Sequence, residues 1–260
     1  MEYDFSVPDY QQKQITYMLL LGLDLETGGA FNAPLETNFI TEIGLVLWDT
    51  EFSQPVDFLS LLIKPDHPVA PESVEYTGIS DDLLGRHGRP TDIRTLQPIA
   101  KLMKKADYIV AHNGREFDRP LIEAAFAHFG LKMPATPWLD TQYDVDYPRN
   151  CTSRSLIYLA GFHGMVNPFK HRAVTDVLTM LTILDHYDIQ QVIANSQRKW
   201  LIVQANVSYD EREKAKEKGF RWQSDGGKTY EKCWVKRLRE DQLHALQNDC
   251  SFNLTVLEKL

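Results

Sequence analysis

"LLLGLDLETGGAF", residues 19–31, sets two carboxylates at the end of an apolar run. The run is short, leucine-rich and closed by Thr-Gly-Gly, and it reads as a buried strand over Tyr17–Leu25 that ends in a turn. Successive strand side chains alternate faces, so Asp24 and Glu26 project from the same one. Two like charges side by side in apolar surroundings are costly, and something of opposite charge has to offset them.

Working outward, "EIGLVLWD" (42–49) and "DFLSLLIKP" (57–65) read as further strands joined by a polar connection containing Pro55. Their close spacing favours an antiparallel meander. "PESVEYTGISDDLL" suggests short helical turns, with Ser80 an N-cap for Asp81–Leu84. From there the pattern alternates: an amphipathic helix with an internal proline, a strand at 107–113, and a helix over Phe117–Phe129 closed by Gly130. A short strand at 137–141 and helices at 153–162 and over His171–Tyr187 follow. Three antiparallel strands followed by β-α-β-α-α predict an α/β fold, a mixed sheet flanked by helices. Beyond Trp200 a strand, a charged helix ending at Gly219, a hairpin around Asp225-Gly226-Gly227 and a helix over Glu240–Asn248 predict a small β-α-β-β-α module. The expected organisation is an N-terminal arm (1–14), a main domain (15–197) and a basic C-terminal module (198–260).

The 260 residues, 43% hydrophobic and 11% aromatic, suffice for a full core. Charge is unevenly spread. Residues 1–197 carry 15 Lys and Arg against 26 Asp and Glu, a balance of −11, whereas residues 198–260 carry 13 against 10, a balance of +3. Acidity in the body does not exclude nucleic acid, because bound metal ions invert the local field. Cys151, Cys233 and Cys250 have no C-x-x-C spacing, which argues against a zinc site or disulfide framework. The N-terminus lacks a signal peptide's basic start, and the run Ile15–Leu23 is about half the length that crosses a bilayer. The expected location is cytoplasmic, with no membrane association.

The opening oddity recurs twice. Asp118 starts a helix that directly follows a strand, and Asp176 is embedded in the apolar run "HRAVTDVLTMLTIL". Taken singly, Asp118 reads equally as a helix N-terminal charge, Asp176 as a satisfied buried carboxylate and His171 as a cap residue. Taken together, four carboxylates on one strand and two helices are what a two-metal site needs. Hard oxygen ligands suit Mg²⁺ or Mn²⁺, and two such ions about 3.5–4 Å apart hold the attacking and leaving oxygens of in-line displacement at phosphorus. His171 supplies a general base. Five residues turn a helix by about 140°, so His171 has to sit at or before the helix start to share a site with Asp176.

"DLETGG", "HNGREFDRPLI" and "HRAVTD" resemble, in order and spacing, the three motifs of the DEDDh 3′–5′ exonucleases, and the resemblance covers roughly residues 15–190. It implies a ribonuclease H-like fold, two divalent ions, Mg²⁺ or Mn²⁺, on Asp24, Glu26, Asp118 and Asp176, and His171 as the base that activates water. It further implies that Leu25, Thr27 and Gly28 hold the terminal nucleotide, with the bare Gly28 widening its pocket. Asn113 and Phe117 read as cleft-lining or as structural. Asp140 reads as structural, and His112 and His163 fall outside the set.

In the tail, Phe220, Arg221, Trp222, Lys228, Tyr230, Lys232, Trp234 and Lys236 interleave aromatics with cations. The rings suit the module's own core, while Arg221, Lys228, Lys232, Lys236 and Arg237 are candidates for nucleic-acid backbone contacts. The leading expectation is an exonuclease on DNA 3′ ends that releases 5′-mononucleotides. An exoribonuclease of the ribonuclease T or oligoribonuclease kind is the alternative. A proofreading or recruitment subunit acting by binding a polymerase or repair complex is the third. The oligomeric state is open, a homodimer included.

Overall fold

Strand β1 (Leu19–Thr27) has apolar side chains on one face and Gly22, Asp24 and Glu26 on the other, and it lies inside a sheet. It pairs antiparallel with β2 (Ile40–Asp49), which pairs antiparallel with β3 (Gln54–Lys64). Pro55, expected in a connection, falls inside β3, opposite Trp48 and next to the register shift at Leu47/Trp48, where a missing N–H is tolerated. A computed structural model describes residues 17–30, 34–223 and 232–259. The arm expected over 1–14 lies outside them.

After β3 come α1 (Pro71–Thr77), α2 (Asp81–His87), the two-residue β4 (Arg89–Pro90) and α3 (Ile93–Lys105). Ser80 caps α2 by accepting from Leu83 N, and Asp92 caps α3 by accepting from Thr95 N. Then follow β5 (Tyr108–Ala111), α4 (Asp118–His128), β6 (Trp138–Asp140), α5 (Leu156–Phe162), α6 (Ala173–Leu184) and α7 (Ile189–Ser196). Both β5 and β6 run parallel to β1, giving the order β4-β3-β2-β1-β5-β6.

Two cores follow from strand alternation. Leu21, Leu23 and Leu25 lie opposite Leu47, Leu45 and Ile43, and together they pack with Leu96, Ile99, Met103, Ile122 and Phe126. The opposite face of the sheet carries Leu20, Val46 and Trp48, against Leu159, Val177, Met180 and Leu181. On that second face Gly22 and Gly44 let α6 approach closely. A Cβ on Gly22 would stand 2.4 Å from Val177 Cγ1, and one on Gly44 would stand 2.4 Å from the backbone of Ala173 and Val174.

The described residues divide into two compact units between Ser196 and Gln197. The second holds β7 (Trp200–Asn206), α8 (Arg212–Glu217), β8 (Arg221–Gln223), β9 (Cys233–Arg239), α9 (Leu243–Asp249) and β10 (Asn253–Lys259). Its sheet has the order β10-β7-β9-β8. Strand β10 was not foreseen, because "NLTVLEK" is too short and polar to stand out; it pairs along β7. The turn expected at Asp225-Gly226-Gly227 lies outside the described residues. No helix of the described residues is long and apolar enough to cross a membrane.

Candidate active site

Asp24, Glu26, Asp118, His171 and Asp176 line one cavity of about 330 Å³, together with Leu25, Asn113 and Phe117. Each arrives there for a local reason. Asp24 and Glu26 share a β1 face by alternation. Asp118 sits in the first turn of α4, and its Oδ1 accepts from Leu25 N at 2.9 Å, which ties the helix start to β1. Asp176 is in the first turn of α6, the helix seated over Gly22 and Gly44. His171 precedes that helix with a left-handed backbone (φ 61°), and its N–H donates to Asp176 Oδ2 at 2.8 Å. This is the position that the five-residue spacing required.

Burial and mutual repulsion of the carboxylates set the electrostatics of the cavity. Burial pushes Asp24 well above the usual carboxylate range, and the charges of Asp118, Glu26, Asp176 and Glu42 push it the same way. Burial likewise raises Glu26, reinforced by Asp176, Glu42 and Asp118 and opposed by Arg172. Asp118 is raised by burial against the hydrogen bond from Leu25. Asp176 is pushed up to about 6 by burial, against hydrogen bonds from His171, Arg172 and Asn167. Burial and the neighbouring Lys170 lower the His171 pKa, so its imidazole is neutral near pH 7.

Oxygens crowded in this way suit hard divalent cations, whose charge would bring all four carboxylates back to the ionised form. Ligand atoms of Glu26, His171 and Asp176 lie within 4.8 Å of one another. This group could hold a divalent cation, and Asp24 and Asp118 line the same cavity without belonging to the group.

Several residues that build the site were not singled out from sequence. Glu42, fully buried and opposite Glu26, accepts from Arg172 Nε at 3.0 Å, from another Arg172 guanidinium nitrogen at 2.8 Å and from Ala173 N at 3.0 Å. It clamps the segment that carries His171 and Asp176. Asn167 Nδ2 donates to Asp176 Oδ1 at 2.6 Å. The Tyr76 ring lies on the His171 imidazole, centroids 3.7 Å apart. Asp140 accepts from Asn113 N, Arg115 N and Gln142 N, a structural role that shapes the loop before Asp118. His112 is held between Thr141 Oγ1 and Arg154 O, and His163 between Leu159 O and Tyr187 OH.

Several remaining candidate residues are held in contacts of their own. Thr27 and Gly28 are not among the cavity's lining residues. The Thr27 hydroxyl accepts from Asn38 Nδ2, and a Cβ on Gly28 would collide with the Phe39 ring at 2.3 Å. Gly28 thus has a packing reason of its own, apart from any nucleotide pocket. It is small to fit Phe39, and its carbonyl accepts from Ala70 N at 2.8 Å, which seats the start of α1. In the second unit, Lys236 is partly buried: its ammonium donates to Lys218 O at 2.6 Å, past the end of α8, over the Phe220 ring. Arg237 lies 5.6 Å from the centroid of the Trp200 ring. Lys228 lies outside the described residues, whereas Arg221 and Lys232 are exposed.

An exonuclease family matches residues 21–184, and a family described as a domain of unknown function matches residues 201–250. Human three-prime repair exonuclease 1 is 32% identical over 149 residues, which are 49% of this chain and 46% of that protein. The chain thus spans about half the length of the curated relatives it matches. Among solved structures, the nuclease domain of 3′hExo, a DEDDh family member bound to rAMP, aligns with a TM-score of 0.55 at 18% identity, covering 66% of this chain and 92% of that one. Escherichia coli exonuclease I in complex with a dT13 oligonucleotide aligns with a TM-score of 0.56 at 18% identity, covering 73% and 48%.

Proposed function

Because this chain belongs to the exonuclease family, we propose that it is a metal-dependent 3′–5′ exonuclease that releases 5′-mononucleotides from DNA 3′ ends. The observation that carries this reading is one cavity lined by four carboxylates and a histidine. Asp24, Glu26, Asp118 and Asp176 would hold two divalent cations, Mg²⁺ or Mn²⁺, which when bound offset charge on the scissile phosphate and on the leaving oxygen.

The chain's own residues account for the rest. His171 accepts the proton of the attacking water through an imidazole nitrogen. The water oxygen bonds to phosphorus as the bond to the 3′-oxygen of the penultimate nucleotide breaks, leaving a strand one nucleotide shorter. The Tyr76 ring lies against the His171 imidazole, and the bond from the His171 backbone N–H to Asp176 holds the segment that carries it. The Glu42–Arg172 clamp holds His171 and Asp176 at a constant distance from β1. Leu25 and Phe117 supply apolar surface beside the carboxylates for the terminal nucleotide, with Asn113 next to them.

DNA is favoured over RNA as substrate because two sequence relatives, at 32% and 33% identity, are named three-prime repair exonucleases. The test is parallel digestion of 3′-labelled single-stranded DNA, duplex DNA and RNA with Mg²⁺ or Mn²⁺, alongside Asp176→Ala and His171→Ala. Loss of metal-dependent cleavage in both variants is expected. Faster digestion of RNA would overturn the DNA assignment, and full activity in Asp176→Ala would overturn the site.

A further inference from the structure

The second unit carries an aromatic face that the exonuclease reading leaves unused. Phe220 belongs to the core of this unit: it is 2% exposed, with its ring edge-on to Phe252. Trp222 differs from it, while Trp234 is partly buried against that core. They stand directly opposite in the β8–β9 ladder and so share a face, with ring centroids 5.6 Å apart and planes at 60°. Trp222 keeps 51% of its surface exposed. A single exposed ring needs no explanation, but an indole pair of which one member is half in solvent, beside cations, is a surface built to receive a flat apolar group.

Lys216 holds its ammonium 5.8 Å from the Trp234 ring centroid, and Lys232 is exposed two positions before Trp234. Lys216 also meets Glu213 at 2.7 Å, with both side chains half exposed. Such pairs are weak in water, so a phosphate can compete for the ammonium. The charge balance points the same way, since residues 198–260 are net +3 on a chain whose other residues sum to −11.

We propose that the Trp222–Trp234 face is a stacking platform for the bases of single-stranded nucleic acid, with Lys216 and Lys232 meeting its phosphates. The choice of occupant rests on the exonuclease reading, because an enzyme that consumes strands from one end gains from a second hold on them. Stacking tolerates any base, which suits a substrate of arbitrary sequence.

The test uses the full chain in EDTA, so that no strand is consumed, titrated with a labelled oligothymidylate. Binding quenches tryptophan fluorescence in the wild type. Trp222→Ala weakens binding by roughly tenfold and Trp222→Phe restores most of it, while cleavage of a dinucleotide with metal added is unchanged in both. Lys216→Gln combined with Lys232→Gln weakens binding and flattens its salt dependence. If circular dichroism shows that Trp222→Ala unfolds the unit, the lysine pair decides. Wild-type affinity in both the tryptophan and the lysine variants overturns the platform and leaves that face to a protein partner. A chain that binds strands through Trp222 but never cleaves the dinucleotide overturns the exonuclease reading alone.

Discussion

Gly44→Ala is the substitution that most directly tests how the active site is assembled. Gly44 lies opposite Asp24 in the β1–β2 ladder, and an added Cβ would stand 2.4 Å from both Ala173 C and Val174 N. Ordinary contact begins near 3.4 Å, so the first turn of α6 has to retreat by about 1 Å. Those neighbours are backbone atoms and cannot turn aside as a side chain would. His171 and Asp176 move with that turn, since the His171 N–H is bonded to Asp176 and Ala173 N to Glu42. A misplacement of about 1 Å costs on the order of 10²-fold in rate, and overpacking costs roughly 1–3 kcal/mol of stability.

Gly22→Ala is the matched control. Its Cβ meets Val177 Cγ1 and Leu181 Cδ1, the ends of side chains further along the same helix. These can shift rotamer, so Gly22→Ala loses comparable stability and far less rate. The assay is single-turnover cleavage of 3′-labelled single-stranded DNA at saturating metal, with urea denaturation run on the same samples. Wild-type turnover by a folded Gly44→Ala chain refutes the reasoning, as does an equal loss of rate in Gly22→Ala.

Three further outcomes are expected. Adding Mg²⁺ or Mn²⁺ at about 100 times its dissociation constant stabilises the wild type by roughly 2.7 kcal/mol, seen as a rise in melting temperature that Asp24→Asn combined with Asp118→Asn abolishes. Glu42→Ala strands Arg172 and frees the start of α6, costing about 3 kcal/mol in urea denaturation and lowering kcat more than KM, whereas an unchanged kcat would reduce Glu42 to a purely structural tie. Asp144, buried and bonded to Arg115 at 2.7 Å, is pushed up to about 6 by burial. Its folded pKa lies above the unfolded value, so the stability it contributes is present below about pH 4 and is lost as pH rises to about 6. Relative to Asp144→Asn, the wild type therefore loses roughly 3 kcal/mol between pH 4 and pH 7, and denaturation curves at both pH values that keep a constant gap would contradict this.

What could be read from sequence was whatever a residue type declares on its own. Asp24, Glu26, Asp118 and Asp176 stood out because a carboxylate in an apolar run needs a reason, and the turn angle of a helix put His171 before α6. Glu42 carried the same anomaly, an acid two positions before Gly44 in the apolar "ITEIGLVLW", and that signal could have been followed. Its partner lies 130 residues away, however, and strand periodicity says nothing of which helix will cross it. Lys236 is the opposite case. A lysine in a strand looks like a surface charge, yet the carbonyls past the end of α8 need donors, and its long stem reaches one.

The register of β1 and β2 explains why so much rests on two glycines. Asp24 and Glu26 occupy the positions that on any other strand would hold branched apolar residues, so this face of β1 cannot bury a helix through its own side chains there. Gly22 and Gly44 compensate by letting the α6 backbone and its Val177 and Leu181 side chains close directly on the sheet. The opposite face, with Leu21, Leu23 and Leu25, packs α3 and α4 conventionally and fixes the register, since a slip of one residue would drive the two acids into the core formed with those helices. One side of β1 supplies Leu21, Leu23 and Leu25 to a core, and the other supplies only Leu20. The other side is free to hold a repulsive cluster of carboxylates, at a distance from α6 set by the absence of two methyl groups.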